Sequence, residues 1–384
     1  MQHVGSPDES FGVISAQSVD QDGTRIRLDR YAKFAWAVLG YTVLVILWGA
    51  LVRATHAGAG CGNHWPLCNG EVIPLAPKFE TIIEFTHRVT TGLALPLVCA
   101  LFWWASKQYT RGHAVRRAAF WSLVLILIEA LLGAGLVRFE LVVKNSSAAR
   151  VAYLSLHLIN TFILLGALTL TAWYASTRAT ARRITAPVRS DSLATDVGLG
   201  FAFKNRDLKF WLFAIAIMGT LLLGVTGAIA ALGDTLFPVK TLAEGVRQDF
   251  DQLAHPLVRL RLLHPLVAVA VGTYLIALGG LSLCGLLGDA SRHAKIFAGS
   301  IITLVFVQIF AGTVNVVLLA PVWMQLVHLF LADLLWIALV LFIAASLAKR
   351  KSIQTENLGY VAARELCCGL RRQRETKPLC TESA

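Results

Sequence analysis

Long apolar runs separated by short polar segments dominate the pattern of this chain. Eight runs can be delimited, and each is close to the ~20 residues that an α-helix needs to cross a bilayer. They fall at residues 34–52, 84–106, 118–138, 151–175, 209–232, 257–284, 294–319 and 321–348. The pattern predicts an all-α polytopic membrane protein with eight transmembrane helices.

Spans one to four and spans five to eight align as an internal repeat. Span two, EFTHRVTTGLALPLV, matches span six, RLLHPLVAVAVGTYL, and span four, YLSLHLINTFILL, matches span eight, WMQLVHLFLADLL. Spans three and seven match with Glu129 opposite Gln308, and spans one and five match more loosely. Because each unit has an even number of spans, both units cross the membrane in the same direction. The chain is therefore predicted to fold as two parallel four-helix repeats.

Composition then sets the domain boundaries. We expect a cytoplasmic N-terminal tail at 1–33, a first four-helix half at 34–175, a cytoplasmic linker at 176–208, a second four-helix half at 209–348 and a cytoplasmic C-terminal tail at 349–384. No cleavable signal peptide is expected, because the residues ahead of the first span are polar and lack an apolar core.

Composition and charge favour a membrane over nucleic acid as the partner. The 384 residues are 56% hydrophobic and 15% charged, which is more apolar surface than a soluble domain of this length could bury. The formal net charge of +12 could suggest nucleic acid, but 25 of the 35 Lys and Arg residues lie in the two tails and the even-numbered loops or at their edges. The positive-inside rule then places both termini in the cytoplasm.

One histidine recurs at an equivalent place in each matched span: His87, His157, His264 and His328. At 1.5 Å per residue, all four lie roughly 5–10 Å inside the outer boundary. A lone membrane histidine is often a helix contact or a proton-relay group, but imidazoles in an apolar span are costly unless they bind something. Two facing imidazoles are what a six-coordinate haem iron requires, whereas they leave tetrahedral zinc short of ligands. We therefore expect one haem ligand pair in each half.

Small residues inside the spans add to this pattern. Gly133, Gly135, Gly227 and Gly312 all lie within apolar runs. Glycine at such positions allows close helix approach or leaves room for a flat ligand.

The two halves differ in acidic and thiol groups. Glu84 lies three residues before His87, on the same helical face, where the second half carries Arg261. A carboxylate at the edge of an apolar pocket could take up protons, although an interfacial acid solvated by headgroups would look the same. Cys61 and Cys68 lie in the first outer loop, on the oxidising face. A disulfide there could serve as a staple or as a redox-active pair.

Arginines mark the outer ends of the spans. Arg53, Arg88, Arg138 and Arg150 do so in the first half, and Arg259 and Arg261 in the second. Arginine pairs well with carboxylates, so these residues could bind haem propionates. Ordinary snorkelling to the interface explains any one of them equally well.

Together these residues resemble the haem A synthase family. The resemblance covers about residues 34–348. It is carried by E-F-T-H-R at 84–88, by His157, by L-H-P at 263–265 and by V-H-L at 327–329, with the outer-loop cysteine pair that only some members have. The tails match no pattern of the family.

The resemblance implies an oxidoreductase that converts a methyl group of haem O to a formyl group by successive hydroxylations, giving haem A for terminal oxidases. It implies a haem b cofactor with axial ligands His264 and His328. It also implies a haem O substrate site at His87 and His157, with Glu84 beside them and the cysteine pair nearby. Arg53 and Arg88 are the arginines taken as candidates for cofactor binding.

Partners and location follow from the same resemblance. We expect haem O synthase and a membrane electron acceptor as partners, in the cytoplasmic (inner) membrane of a bacterium, with self-association left open. A bis-histidine di-haem electron carrier is the alternative, although it leaves Glu84 and the cysteines without a role. A haem or metal transporter fits less well, because the polar groups cluster in the outer half of the spans only.

Overall fold

A computed structural model of the protein describes residues 29–184, 208–287 and 290–348. The tails predicted at 1–33 and 349–384 and the linker predicted at 176–208 lie largely outside the described residues. The described chain is helical and contains no β-strand. Its helices are α1 (Arg30–Ala54), α2 (Phe79–Gln108), α3 (Ala114–Arg138), α4 (Ala148–Ile184), α5 (Leu208–Leu236), α6 (Leu242–Phe250), α7 (Pro256–Arg259), α8 (Leu263–Leu283), α9 (Arg292–Val317) and α10 (Val322–Leu347).

Eight helical segments of the described chain are long and apolar enough to cross a membrane. Seven are single helices; the sixth, Pro256–Leu283, joins α7, a short 3-10 turn and α8. All eight coincide with the predicted runs, so the prediction of an all-α, multi-pass membrane protein is confirmed. A spanning helix satisfies its own backbone hydrogen bonds, which is why the bilayer selects this element.

The spanning helices pack as two rings of four. In the first ring α1, α2, α3 and α4 pack in succession, and α4 closes against α1. In the second ring α5, α8, α9 and α10 pack in the same order, and α10 closes against α5. The rings meet where α4 packs against α5 and α10 and where α10 packs against α1. A twofold exchange of the rings maps these contacts onto one another, as expected of a parallel repeat.

Burial is deepest where the two rings meet. Trp336 of α10 donates a hydrogen bond from its indole nitrogen to the carbonyl of Phe162 of α4 (2.7 Å). The aromatic side chains of these two residues also pack together, with their ring centroids 5.3 Å apart. Leu165, Leu168 and Leu339 nearby along these helices are fully buried. Large apolar side chains on the opposite faces of the helices remain exposed, as lipid contact requires.

Loops between successive spans lie alternately at the two ends of the bundle. We call the disulfide end the one that carries residues 55–78, 139–147, 237–255 and 318–321, because the Cys61–Cys68 disulfide lies there. Helix α2 begins at Phe79, five residues earlier than the apolar run predicts. The four histidines therefore lie six to nine residues after the start of their spanning segments, and His87 lies deeper than the sequence indicated.

Candidate functional site

Each of the four histidines packs against a glycine of the spanning helix that precedes its own. The pairs are Gly49 with His87, Gly133 with His157, Gly227 with His264, and Gly312 with His328. A Cβ on Gly49 or Gly227 would lie 3.0 Å from Cε1 of the facing ring, and on Gly312 3.1 Å. On Gly133 it would lie 3.9 Å away. In three of the four contacts, therefore, a side chain in place of the glycine would require the imidazole to shift by a few tenths of an ångström.

This glycine pattern was predicted in part. Gly133, Gly227 and Gly312 had been recognised as small residues within the spans, but their partners could not be read from the sequence. Gly49 was missed, because spans one and five align only loosely and their alignment does not place it opposite Gly227. Gly135 faces Tyr153 instead of a histidine.

His264 and His328 form a facing pair in the second ring. Their ring centroids are 6.2 Å apart, and their planes are nearly perpendicular. A metal–nitrogen bond of about 2 Å on each side, with a centroid about 1 Å behind each nitrogen, places two imidazoles on one metal with centroids about 6 Å apart. Thr226 Oγ1 lies 3.3 Å from Nδ1 of His264. The spacing of this pair therefore fits a shared haem iron.

His87 and His157 occupy the equivalent positions in the first ring, each against a glycine of the preceding helix. The Nδ1 atoms of both rings, and that of His328, are buried without a hydrogen-bond partner among the described residues. A buried polar nitrogen left unpaired costs free energy. The first pair therefore repeats the positions of the second pair, and it also suits a haem.

Glu129 supports His157 from the neighbouring helix α3. Its Oε1 atom lies 3.5 Å from Nδ1 of His157 and accepts a hydrogen bond from the hydroxyl of Thr161. Its Oε2 atom accepts from the side-chain amide of Asn160 at 2.6 Å. Gln308 stands at the matching place in the second ring and donates to the carbonyl of His328 at 3.1 Å. Sequence alignment had paired Glu129 with Gln308 without assigning either to a site.

Glu84 is buried, with only 3% of its surface exposed. Its Oε1 atom pairs with Arg88 at 2.5 Å, and its Oε2 atom accepts the backbone N–H of Cys61 at 2.8 Å. Arg88 also donates to the carbonyls of His64 and Leu67, at 2.5 and 2.6 Å. Glu84 and Arg88 therefore hold the cysteine loop onto α2. The sequence had placed Glu84 at the edge of a span, and the early start of α2 explains why it is enclosed instead.

Cys61 and Cys68 form the expected disulfide, and both residues are buried. The loop between them is held by the N–H of Asn69, which donates to the carbonyl of Cys61 at 2.9 Å. Because the backbone N–H of Cys61 donates a hydrogen bond to Glu84, the disulfide is held against the four-helix ring that contains His87 and His157.

Arg53 connects the two rings at the disulfide end. It extends from α1 and donates to the carbonyl of Ala231 (2.8 Å) and the hydroxyl of Thr235 (2.9 Å) on α5. It also donates to the amide oxygen of Gln325 on α10 at 3.0 Å. The guanidinium thus makes three hydrogen bonds to protein groups of the second ring.

Arg261, the counterpart of Glu84, closes the disulfide end of the second ring. It donates to the carbonyls of Gly233 (3.2 Å) and Phe237 (3.0 Å). It also forms ion pairs with Asp234 at 3.4 Å and Asp249 at 4.0 Å. Burial raises the pKa of Asp249, although Arg261 acts in the opposite direction. The two rings therefore use opposite charges at the same helix position.

Asp333 is a second intramembrane acid without an assigned role. It lies on α10, is completely buried, and has no hydrogen-bond partner for either oxygen among the described residues. Both Glu129 and Asp333 interrupt apolar runs, in LILIEALLG and LFLADLLW, and an acid inside a span is a recognisable signal. Their importance could therefore have been suspected from the sequence.

Comparison with known proteins gives a family match. Residues 32–340 match the model of the COX15-CtaA family, which is described as a cytochrome oxidase assembly protein. A relative from Thermus thermophilus, named protohaem IX farnesyltransferase, is 47% identical over 250 residues, covering 65% of this chain and 38% of the relative.

Relatives named haem A synthase match a shorter segment. Those from Alkalihalophilus pseudofirmus and Halalkalibacterium halodurans are 46% and 44% identical over 97 residues, covering 25% of this chain and 33% of each relative. The matched part of this chain thus spans only about a third of the length of these curated relatives.

Proposed function

The chain belongs to the COX15-CtaA family of cytochrome oxidase assembly proteins, and we propose on this basis that it is a haem A synthase. The reaction is the oxidation of a methyl group of haem O to a formyl group through successive hydroxylations. The observation that carries the proposal is the fourfold recurrence of a histidine facing a glycine, in two pairs within one duplicated bundle. Relatives that bear the name haem A synthase support it.

We assign different tasks to the two rings. The second ring, within residues 209–348, would hold haem b through His264 and His328. The first ring, within residues 34–175, would bind haem O between His87 and His157. A bound haem supplies one-electron chemistry. The support for this division is that, among the described residues, the first ring has the disulfide and the acids Glu84 and Glu129, whereas Arg261 and Gln308 stand at the matching places in the second ring.

The side chains of the first ring would orient the substrate and handle protons. Glu84 lies one turn before His87 on the same face of α2, so its carboxylate is the group proposed to accept a proton during oxidation. Arg88 and the N–H of Cys61 hold that carboxylate in place. The enclosure of Glu84 excludes bulk water from it. Arg53 and Arg88 are the proposed partners of haem propionates, in addition to the protein contacts they already make.

We further propose that the protein lies in the bacterial inner membrane with both termini in the cytoplasm. This orientation puts the disulfide end on the oxidising side, where a disulfide persists. Haem O synthase would supply the substrate, and a membrane electron acceptor would receive the electrons. The Thermus relative supports the first partner, since a protein named for haem farnesylation shares a long segment with this chain.

The test is a haem extraction profile. The full chain is expressed in a membrane that contains haem O, and the extracted haems are separated and identified by mass. We expect hydroxylated and formyl haems in addition to haem b, and their loss in a His157→Ala variant. Two low-spin haems without any oxidised product would instead indicate the di-haem electron carrier, and a colourless protein would exclude both functions.

A further inference from the structure

We propose that Glu129 is a positioning residue that makes His157 a more basic haem ligand than His328, so that the two haem sites have different reduction potentials. The inference rests on the proposed function, because it assumes a haem at each histidine pair. It adds a residue outside the set that the sequence indicated, and it explains how one duplicated bundle could hold two unequal sites.

The first step is the geometry around Glu129. Both carboxylate oxygens are held by α4: Thr161 donates to Oε1, and Asn160 donates to Oε2 at 2.6 Å. Asn160 also donates to the carbonyl of Leu125, one turn before Glu129 on α3. These bonds leave Oε1 3.5 Å from Nδ1 of His157. The carboxylate is therefore an acceptor fixed beside the ring nitrogen.

The second step is the matching place in the second ring. The repeat puts Gln308 opposite Glu129, and it puts Leu331 and Ala332 opposite Asn160 and Thr161. The acid and both of its donors are therefore replaced together, and the second ring cannot hold a carboxylate in the same way. Gln308 instead directs its NH₂ group at the carbonyl of His328, at 3.1 Å, with Nε2 of the same ring 3.4 Å away.

The chemical consequence follows from the difference between an acceptor and a donor. An acceptor beside Nδ1 keeps the proton on that nitrogen, leaves Nε2 free to bind a metal, and raises the basicity of the ligand. The NH₂ group of Gln308 offers no such acceptor to His328. A more basic axial ligand stabilises the oxidised iron, so the first-ring site should have the lower reduction potential.

The test uses ferric haem b as the probe and measures one site at a time. In purified full-length protein carrying His264→Ala, only the first pair can bind haem with both ligands, and in protein carrying His157→Ala only the second can. We add Glu129→Gln to the His264→Ala protein, and we measure the reduction potential by spectroelectrochemical titration and the haem affinity by binding titration. We expect a positive shift in potential and haem binding weaker by about 10- to 100-fold.

The reciprocal variant provides the matched control and does not depend on the folding of Glu129→Gln. Gln308→Glu, combined with Leu331→Asn and Ala332→Thr, transfers the cluster to the second ring in the His157→Ala protein. The second-site potential should then move to more negative values. Potentials that stay unchanged in both variants while haem remains bound would overturn the inference. Failure of the parent proteins to bind haem would instead contradict the proposed function.

Discussion

Gly312 of α9 lies directly against the imidazole of His328 on α10, where a Cβ would come within 3.1 Å of Cε1. Ordinary contacts between carbon atoms are about 3.5–4.0 Å, so even one methyl group would have to displace the ring. The same relationship joins Gly49 to His87 and Gly227 to His264. The orientation of these rings is therefore set by the backbone of the neighbouring helix.

Replacing this glycine should disturb the haem site proposed for the second ring. We expect Gly312→Ala to push the His328 ring out of line and to change or abolish the low-spin absorption spectrum of the haem proposed to bind there. The matched control is Gly299→Ala on the same helix, where a Cβ would meet nothing within 4 Å. Alanine is favoured over glycine in a helix by up to about 1 kcal/mol, so Gly299→Ala should not weaken helix α9. Since the new methyl group touches nothing, this control should also keep the haem spectrum unchanged. An unaltered spectrum in Gly312→Ala would contradict the prediction.

Glu84→Gln should suppress product while sparing the second site. The amide cannot accept a proton, and its loss of charge leaves the partly buried Arg88 without its counter-ion, which we expect to cost roughly 3 kcal/mol of stability. Extracted haems and thermal unfolding in detergent are the measurements. Glu80→Gln is the control, because Glu80 is an exposed acid on the same helix. Full turnover in Glu84→Gln would remove this residue from the mechanism.

Arg53→Met should weaken the association of the two rings. The variant loses three hydrogen bonds from a charged group to α5 and α10, and it leaves their acceptors without this donor. Hydrogen bonds to charged groups contribute about 1.5–3 kcal/mol each, and we expect a total loss near the upper figure. The control is Arg138→Met at the same end, whose side chain is exposed and makes one long contact to Asn63. Equal unfolding temperatures for the two variants would show that Arg53 does not link the rings.

Asp333→Leu should leave the fold intact and increase its stability. A buried carboxyl without a partner costs about 1–3 kcal/mol, and a leucine of similar size removes both polar atoms. Asp333→Asn is the control, because it keeps the shape and the unpaired polar atoms, and it should gain less. Thermal unfolding compares the three proteins. A large loss of stability in the leucine variant would mean that Asp333 holds a bound group.

Much of the architecture could be predicted because the bilayer acts on local properties of the chain. A span must be long, apolar and helical, and each of these is visible in a window of about 20 residues. The eight helices and the even number of spans per repeat were therefore readable. The Cys61–Cys68 bond was predictable for a similar reason, since its two residues are close in sequence.

Helix ends and side-chain partners were less predictable. Helix α2 starts at Phe79, because residues 79–83 continue the helix ahead of the predicted run, although Glu80 and Thr81 interrupt the apolar pattern there. This shift encloses Glu84, which the apolar pattern had placed at a boundary. The roles of Glu129 and Gly49 were also hidden, because each depends on a residue of another helix.

The sequence by itself determined the number and kind of elements, the membrane as their solvent, and the recurrence of His87, His157, His264 and His328. Only the tertiary structure decided which glycine faces each ring and that Arg53 joins residues 178 to 272 positions away. The reason is physical. Hydropathy and helix formation depend on neighbours along the chain, whereas a contact between helices depends on how they rotate and pack.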